Sequence, residues 1–154
     1  MKEHVLVPLA GIAGLPLVLP HLRALVRRGV SAVTLVHAEL PASIEGFDLL
    51  RDASLVHARK FLARAKRRLS ALKVPVHVVA AIGAPAETIL DVARERKATL
   101  ILLSSSRRSG LVRFLFGSVA EQVVRRSPVP VVVIPSQPAS EPETVGAGSR
   151  RSTF

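Results

Sequence analysis

The 154-residue chain contains no cysteine. This absence excludes disulfide bonds, zinc sites built on thiolates, iron–sulfur clusters and cysteine nucleophiles. A chain without cysteine is compatible with a reducing compartment, and we expect this one in the cytoplasm.

Aromatic residues are almost as scarce. The sequence has neither tryptophan nor tyrosine, and its phenylalanines bring the aromatic share to only 3%. Proteins that bind single-stranded nucleic acid stack bases on aromatic rings, so this composition argues against such a platform.

Long apolar runs are also missing. Proline, glycine or histidine interrupts each run well short of the about 20 residues that a helix needs to span a bilayer. Residues 1–4 lead into a short apolar stretch that lacks the cleavage pattern of a signal peptide. We therefore expect a protein that is neither inserted in a membrane nor secreted.

The length and the hydrophobic content of the chain fit one compact domain with a short tail. Hydrophobic residues make up 49% of the chain, which is enough for a sizeable core. We assign residues 1–135 to the domain and predict that residues 136–154, rich in serine, proline and glycine, form a disordered tail.

The formal net charge is +11. A surface with this charge attracts anions of any kind, among them nucleotide phosphates, nucleic acid and anionic lipid. Charge of this size also serves solubility alone, so composition by itself does not choose a partner.

Strand-like and helix-like segments alternate along the domain. Short apolar or β-branched runs predict strands, and apolar residues at helical spacing predict the helices between them. The alternation predicts an α/β fold with a parallel sheet that helices cover on both faces. The predicted strands are 5–9, 31–38, 76–82, 99–103 and 129–134, and the predicted helices are about 16–28, 47–72, from 85 onward, and 117–126.

Prolines and valines give finer expectations. Pro20 is predicted in the first turn of its helix, where a missing N–H costs nothing. Pro128 and Pro130 cannot donate ladder hydrogen bonds, so the last strand is predicted at a sheet edge. In the last helix, a row of valines is predicted to face inward: Val119, Val123 and Val124.

The second predicted helix has one strongly basic side. Leucine and alanine alternate at spacings of three and four on its apolar side. We interpret the basic side as solvated, and a nucleic-acid patch is less favoured because no groove-reading motif accompanies it. Its cations are Arg59, Lys60, Arg64, Lys66, Arg67 and Arg68.

Candidate catalytic and metal-binding groups are few. No histidine pair has the helical spacing of a metal site, so His37 and His77, both in predicted strands, are interpreted as structural. Among the acidic residues, Glu39 alone follows a strand end on the edge where parallel sheets bind ligands. Nucleotide hydrolysis needs a metal-binding carboxylate and a positioned base, so we predict that the protein is not an enzyme and holds no metal.

One segment has the features of an anion site. Residues 103–119 read LSSSRRSGLVRFLFGSV, in which Gly117 and Ser118 begin a helix directly after an arginine-rich loop. Free backbone N–H groups at a helix N-terminus attract anions. Gly117 and Ser118 also suit an ordinary helix cap, so this segment alone leaves both interpretations open.

This segment and three others resemble the universal stress protein family. The matching pieces run in family order over about residues 4–134: VLVPLAG, TLVHA, GAPAETILDVARERKATLILLS and RSGLVRFLFGSVAEQVVRRSPVPVVVIP. The resemblance implies a single-domain, three-layer, adenine-nucleotide α-hydrolase-like fold with a five-stranded sheet of order 3-2-1-4-5. It also implies a homodimer that pairs the last strands, residues 129–134, across a two-fold axis.

The resemblance further locates a nucleotide pocket. Members that bind ATP carry a loop of glycine, two residues, glycine, nine residues, then glycine and serine or threonine. These positions fall here at Ser104, Arg107, Gly117 and Ser118, and a family acid after the first strand falls at Ala10. Carried over residue by residue, the pocket positions are Pro8, Ala10, Ala38, Leu103, Ser104, Arg107, Gly117, Ser118 and Val119.

Two function hypotheses follow from these departures. A β-carbon at Ser104 and a guanidinium at Arg107 are expected to obstruct the approach of phosphates to the backbone. The favoured hypothesis is therefore a non-enzymatic stress-response protein with a degenerate pocket, no cofactor and protein partners that the sequence does not identify. The alternative is an adenine-nucleotide sensor that binds ATP, in which Arg107, Arg108 and Arg113 replace the lost glycines.

Overall fold

Strands and helices alternate along the part of the chain that the structure describes. The computed structural model describes residues 2–40, 48–105 and 117–135, so the predicted tail lies outside the described residues. Short 3₁₀ turns at Ile12–Gly14 and Ser70–Leu72 flank the first two helices. The elements are β1 (Glu3–Pro8), α1 (Leu15–Arg27), β2 (Val30–Glu39), α2 (Asp48–Arg68), β3 (Val76–Ile82), α3 (Pro85–Glu95), β4 (Leu100–Ser105), α4 (Ser118–Arg126) and β5 (Val131–Pro135).

The five strands form one parallel sheet in the order β3-β2-β1-β4-β5, which confirms the predicted order. β1 is central and pairs with β2 on one side and β4 on the other. The chain adds β2 and β3 on one side of β1, and then crosses over to add β4 and β5 on the other side. The point at which the strand order reverses therefore lies between the neighbouring strands β1 and β4. In open parallel sheets, ligands bind beyond the carboxyl ends of the strands at such a switch point.

Helices cover both faces of the sheet and make a three-layer sandwich. Val5 and Val7 belong to the core under α1 and α2, whereas Leu6 between them belongs to the core under α3 and α4. This is the alternation that a strand imposes when both of its faces are buried. Within the described residues, each helix is too short or too polar to cross a membrane.

Pro20 lies in the second turn of α1, so its predicted place in the first turn was wrong. The helix begins at Leu15, and Pro16 occupies its first turn instead. A proline at position 20 leaves the carbonyl of Pro16 without a helical donor. Both prolines are exposed, so water reaches this carbonyl.

α2 ends at Arg68, four residues before the predicted end. A 3₁₀ turn follows, and Lys73 then takes a left-handed φ of 56°. Leu69 is fully buried beyond the helix end, so the apolar face continues through the change of backbone conformation. This continuity explains why spacing alone predicted one helix through Leu72.

Val124 is 48% exposed, so the prediction that it faces inward was wrong. Val123 is fully buried, and Ala120 is buried on the same side of α4. Because a helix turns about 100° per residue, Val124 lies beyond the edge of the buried arc.

β5 begins at Val131, two residues later than predicted, and ends at Pro135. Pro128 and Pro130 have no N–H to donate, which delays regular pairing. The carbonyl of Pro130 still accepts a hydrogen bond of 3.0 Å from the N–H of Ile101. β5 occupies the sheet edge, as its prolines predict.

Candidate functional site

A cavity of about 290 Å³ opens at the carboxyl ends of β1, β2 and β4. The first residues of α3 and α4 complete its wall, with Pro85 from α3 and Ser118 from α4. The cavity therefore lies at the switch point of the sheet, where folds of this class bind their ligands.

The fold brings together eight of the nine positions predicted from the family resemblance. The ninth, Arg107, lies outside the described residues, as do Arg108 and Arg113. Ligand binding by these residues stays a prediction. The eight that line the cavity are Pro8, Ala10, Ala38, Leu103, Ser104, Gly117, Ser118 and Val119.

α4 begins at the cavity with backbone N–H groups that have no acceptor within the helix. Gly117 is the N-cap residue in an extended conformation, and no side chain among the described residues caps the helix. Gly117 and Ser118 are both exposed. The first N–H groups of a helix have no intrahelical acceptor, so those of Ser118, Val119 and Ala120 are available to bind an anion.

The rest of the wall is mainly apolar. Side chains from five elements contribute, and Ser104 and Ser118 supply hydroxyl groups. A mainly apolar wall with a few convergent donors is typical of pockets for small ligands. Sequence comparison by motif did not select the further apolar members of the wall, which are Leu9, Val36, Pro85, Ile89 and Ala120.

Ser104 lies against the start of α1. A β-carbon added to Gly14 would come within 3.0 Å of Ser104 Oγ and 3.6 Å of Leu9 Cδ2. The serine at the first family glycine position therefore uses space that a glycine at position 14 leaves open.

Both ring nitrogens of His37 lie within hydrogen-bond distance of an oxygen atom at the edge of the cavity. Its Nδ1 lies 2.7 Å from the carbonyl oxygen of Leu9, and its Nε2 lies 2.9 Å from Oε1 of Glu39. The ring is buried and meets Phe61 edge-on, with centroids 4.9 Å apart. Because a carbonyl oxygen only accepts, Nδ1 carries a proton that it donates to Leu9.

These bonds fix the segment that follows β1. The N–H of Leu9 donates to the carbonyl of Val36 at 2.9 Å, while its own carbonyl accepts from His37. Both polar backbone atoms of Leu9 are thus held by β2. The next residue, Ala10, is exposed on the cavity wall, so His37 positions this part of the site.

The sequence interpretation missed the pairing of His37 with Glu39, because it assigned the histidines no nearby acidic partner. Residues two apart in a strand share a face, and that spacing is the signal that identifies this pair. His37 and His77 both lie in strands, as predicted, and His77 is exposed on β3.

Comparison of sequences identifies relatives. The chain matches the universal stress protein family over residues 1–135. Universal stress protein MJ0531 of Methanocaldococcus jannaschii is 33% identical over 96 residues, which cover 62% of this chain and 55% of that protein. The chain thus spans about half the length of this curated relative.

Solved structures share the fold. The protein MJ0577 of Methanocaldococcus jannaschii superposes with a TM-score of 0.78 at 24% identity, over 90% of this chain and 99% of its own. A universal stress protein from Archaeoglobus fulgidus in complex with dAMP gives a TM-score of 0.62 at 25% identity, over 87% and 98%. A universal stress protein in complex with cAMP gives 0.66 at 23%, over 86% and 96%.

The family match covers residues 1–135, which is most of the chain, and the solved structures of the family share its fold. The chain belongs to the universal stress protein family.

Proposed function

We propose that this chain is a stress-response regulatory protein that holds an adenine mononucleotide in the cavity and does not turn it over. The observation that carries the proposal is that an apolar wall and the start of α4, which no described side chain caps, meet in one cavity. The relative from Archaeoglobus fulgidus in complex with dAMP supports the same class of ligand.

The two parts of the cavity suit the two parts of such a nucleotide. Apolar side chains such as Val36, Ile89 and Leu103 would bury the adenine ring. The N–H groups at Ser118 and Val119 would donate hydrogen bonds to one phosphate. A longer phosphate chain would extend toward the replaced family glycines, so we expect AMP to bind at least as tightly as ATP.

Catalysis is not part of this proposal. Among the described lining residues, His37 carries the one titratable side chain, and both of its ring nitrogens already have partners. Hydrolysis requires a base that positions water, and His37 is committed to Leu9 and Glu39 instead.

A second candidate is a protein with a degenerate pocket that acts through protein contacts alone. Ala10 favours it, because an exposed methyl group stands on the cavity wall where the resembling ATP-binding members carry an acid. Ser104 at the first glycine position favours it as well. Under this candidate, the cavity keeps its shape but has no nucleotide ligand.

Whether or not the cavity binds a nucleotide, we expect a cytoplasmic homodimer that pairs through β5. β5 is an edge strand, and Val132 on it is 43% exposed. Unpaired apolar edge strands promote aggregation, so native proteins cover them. A two-fold axis beside β5 would pair the β5 strands of two protomers, so that each strand covers the other.

Calorimetric titration of AMP and of ATP into the purified protein tests the proposal. The titration buffer contains magnesium, and the titration is run at two salt concentrations, about 0.1 M and about 0.5 M. Salt weakens the non-specific attraction of nucleotides to a surface with a net charge of +11. One salt-resistant AMP site per chain supports the proposed function. Salt-sensitive heat alone, or none, would refute it and favour the degenerate pocket.

A further inference from the structure

Positive charge is divided unequally between the two helical layers. The described side chains of α1 and α2 comprise eight cations and one carboxylate, that of Asp52. Those of α3 and α4 comprise three arginines and four carboxylates. The fold therefore concentrates cations on one outer face, and we call this face the basic face. Its cations are Arg23, Arg27, Arg59, Lys60, Arg64, Lys66, Arg67 and Arg68.

The basic face is exposed, and no salt bridge among the described residues compensates its charge. All eight of its cations are exposed, and the salt bridges formed within the described ranges involve other groups. Three of those salt bridges lie in the opposite layer: Arg94 with Asp91, Arg125 with Glu121, and Arg126 with Glu87.

Packing fixes the orientation of this charge. Ala58, Leu62 and Ala65 of α2 are fully buried against the sheet, so the cations on the other side of the helix must face outward. Six of them lie between Arg59 and Arg68, a length of about 14 Å at the rise of an α-helix. The result is a dense group of cations on the outward side of α2.

We infer that the basic face binds the phosphate backbone of duplex nucleic acid without reading its sequence. A DNA duplex presents one negative charge about every 1.7 Å along its axis, so it complements a dense group of cations. Phosphate contacts need only exposed donors, whereas sequence recognition needs side chains that reach base edges. The missing groove-reading motif therefore excludes sequence recognition and leaves backbone binding.

A membrane surface is the competing polyanion, and the packing of α2 disfavours it. Helices that lie on membranes insert apolar side chains below their cations. The apolar side of α2 is instead buried against the sheet, and Val56 is the one large hydrophobic side chain exposed on the described parts of α1 and α2.

The basic face is separate from the cavity. The cavity is lined by strand ends and by the starts of α3 and α4, and none of the eight cations contributes to it. Binding of a duplex is therefore independent of the proposed nucleotide site, and either can fail without the other.

Fluorescence anisotropy with a labelled duplex of about 30 bp and mixed sequence tests this inference over about 50–200 mM salt. The triple variant Arg59→Gln, Arg64→Gln, Arg67→Gln removes three charges from the basic face. Its matched control removes three from the opposite layer. The control variant is Arg94→Gln, Arg125→Gln, Arg126→Gln.

We expect the wild type to bind with an affinity that falls steeply with salt. The basic-face variant should bind at least about tenfold more weakly at low salt, with a salt slope smaller by about 2–3, and the control should stay within about twofold. Equal losses in the two variants would overturn the inference, because net charge would then explain binding. Binding to phosphatidylserine vesicles without binding to the duplex would overturn it too, as would displacement of the duplex by saturating AMP.

Discussion

The Nδ1 atom of His37 donates a hydrogen bond of 2.7 Å to the carbonyl oxygen of Leu9, so a side chain of β2 supports the segment that leaves β1. The same ring reaches Glu39 through Nε2 at 2.9 Å. Since Ala10 follows Leu9 directly on the cavity wall, the shape of the site depends on this histidine.

Replacement of His37 should therefore destabilise the fold and loosen the cavity. His37→Ala leaves the carbonyl of Leu9 without its donor and opens a void beside Phe61. We expect the free energy of unfolding to fall by about 2–4 kcal/mol, measured by urea denaturation, and AMP binding to weaken. His77→Ala, at an exposed position of β3, is the control and should change stability by less than about 0.5 kcal/mol. Similar values for the two variants would contradict a positioning role for His37.

Gly14 and Ser104 should be energetically coupled. Gly14→Ala brings a β-carbon within 3.0 Å of Ser104 Oγ, which must then shift. We expect this variant to lose about 1–2 kcal/mol of stability. In a Ser104→Gly background the same change should cost less than about 0.5 kcal/mol, and the double-mutant cycle measures the difference. An equal cost in both backgrounds would show that the two residues do not compete for space.

The stability of the fold should fall as the pH drops below about 6.5, because of His4. Burial lowers the pKa of His4 below its usual 6.5, and the charges of His77 and Arg96 act in the same direction, while a hydrogen bond to the backbone of Arg96 opposes them. The unfolded chain therefore takes up a proton at this position before the folded chain does, which favours unfolding as acid is added. Above the usual pKa both states are neutral at His4 and the effect vanishes.

Urea midpoints at about pH 7.5 and about pH 5.5 measure this dependence. His4→Gln should reduce the change between the two conditions, and His21→Gln, an exposed position on α1, should leave it as in the wild type. An unchanged pH dependence in His4→Gln would assign the acid sensitivity to another group.

A carboxylate at the start of α4 should weaken nucleotide binding without destabilising the helix. Ser118→Asp places negative charge among the N–H groups proposed to hold the phosphate, yet acidic residues near a helix N-terminus are stabilising. We expect AMP affinity to fall at least about tenfold, measured by calorimetry. Gln122→Glu adds the same charge one turn along, at an exposed site, and should bind AMP like the wild type. Equal losses in both variants would indicate a general charge effect.

Local patterns predicted the alternation of strands and helices, whereas the strand order and the cavity positions came from the resemblance to a family. Buried strands alternate with amphipathic helices, and family spacing selected Pro8 and Gly117, which are far apart in sequence but meet in one cavity. The contact of His37 with Leu9 could not be predicted from local patterns or from the family spacing. It depends on the path of the backbone just after the end of β1, which neither pattern determines.

The basic face required the fold as well. The cations of α2 are visible in the sequence, but the layer that each helix joins depends on strand order. Only when α1 and α2 cover the same face, with Glu87, Asp91 and Glu121 on the other, does the charge become one-sided. The end of α2 also escaped prediction, because Leu69 keeps the apolar pattern after the helix has ended.

Amide chemical shifts during titration with AMP show directly whether the cavity binds a nucleotide. In ¹⁵N–¹H spectra at about 0.5 M salt, where attraction to surface cations is screened, we expect saturable shifts at Ala10, Ala38 and Val119. Lys60 and Arg67, on the basic face, should not move. Shifts confined to α2, or no saturable shift at the cavity, would contradict the claim that this cavity is a nucleotide site.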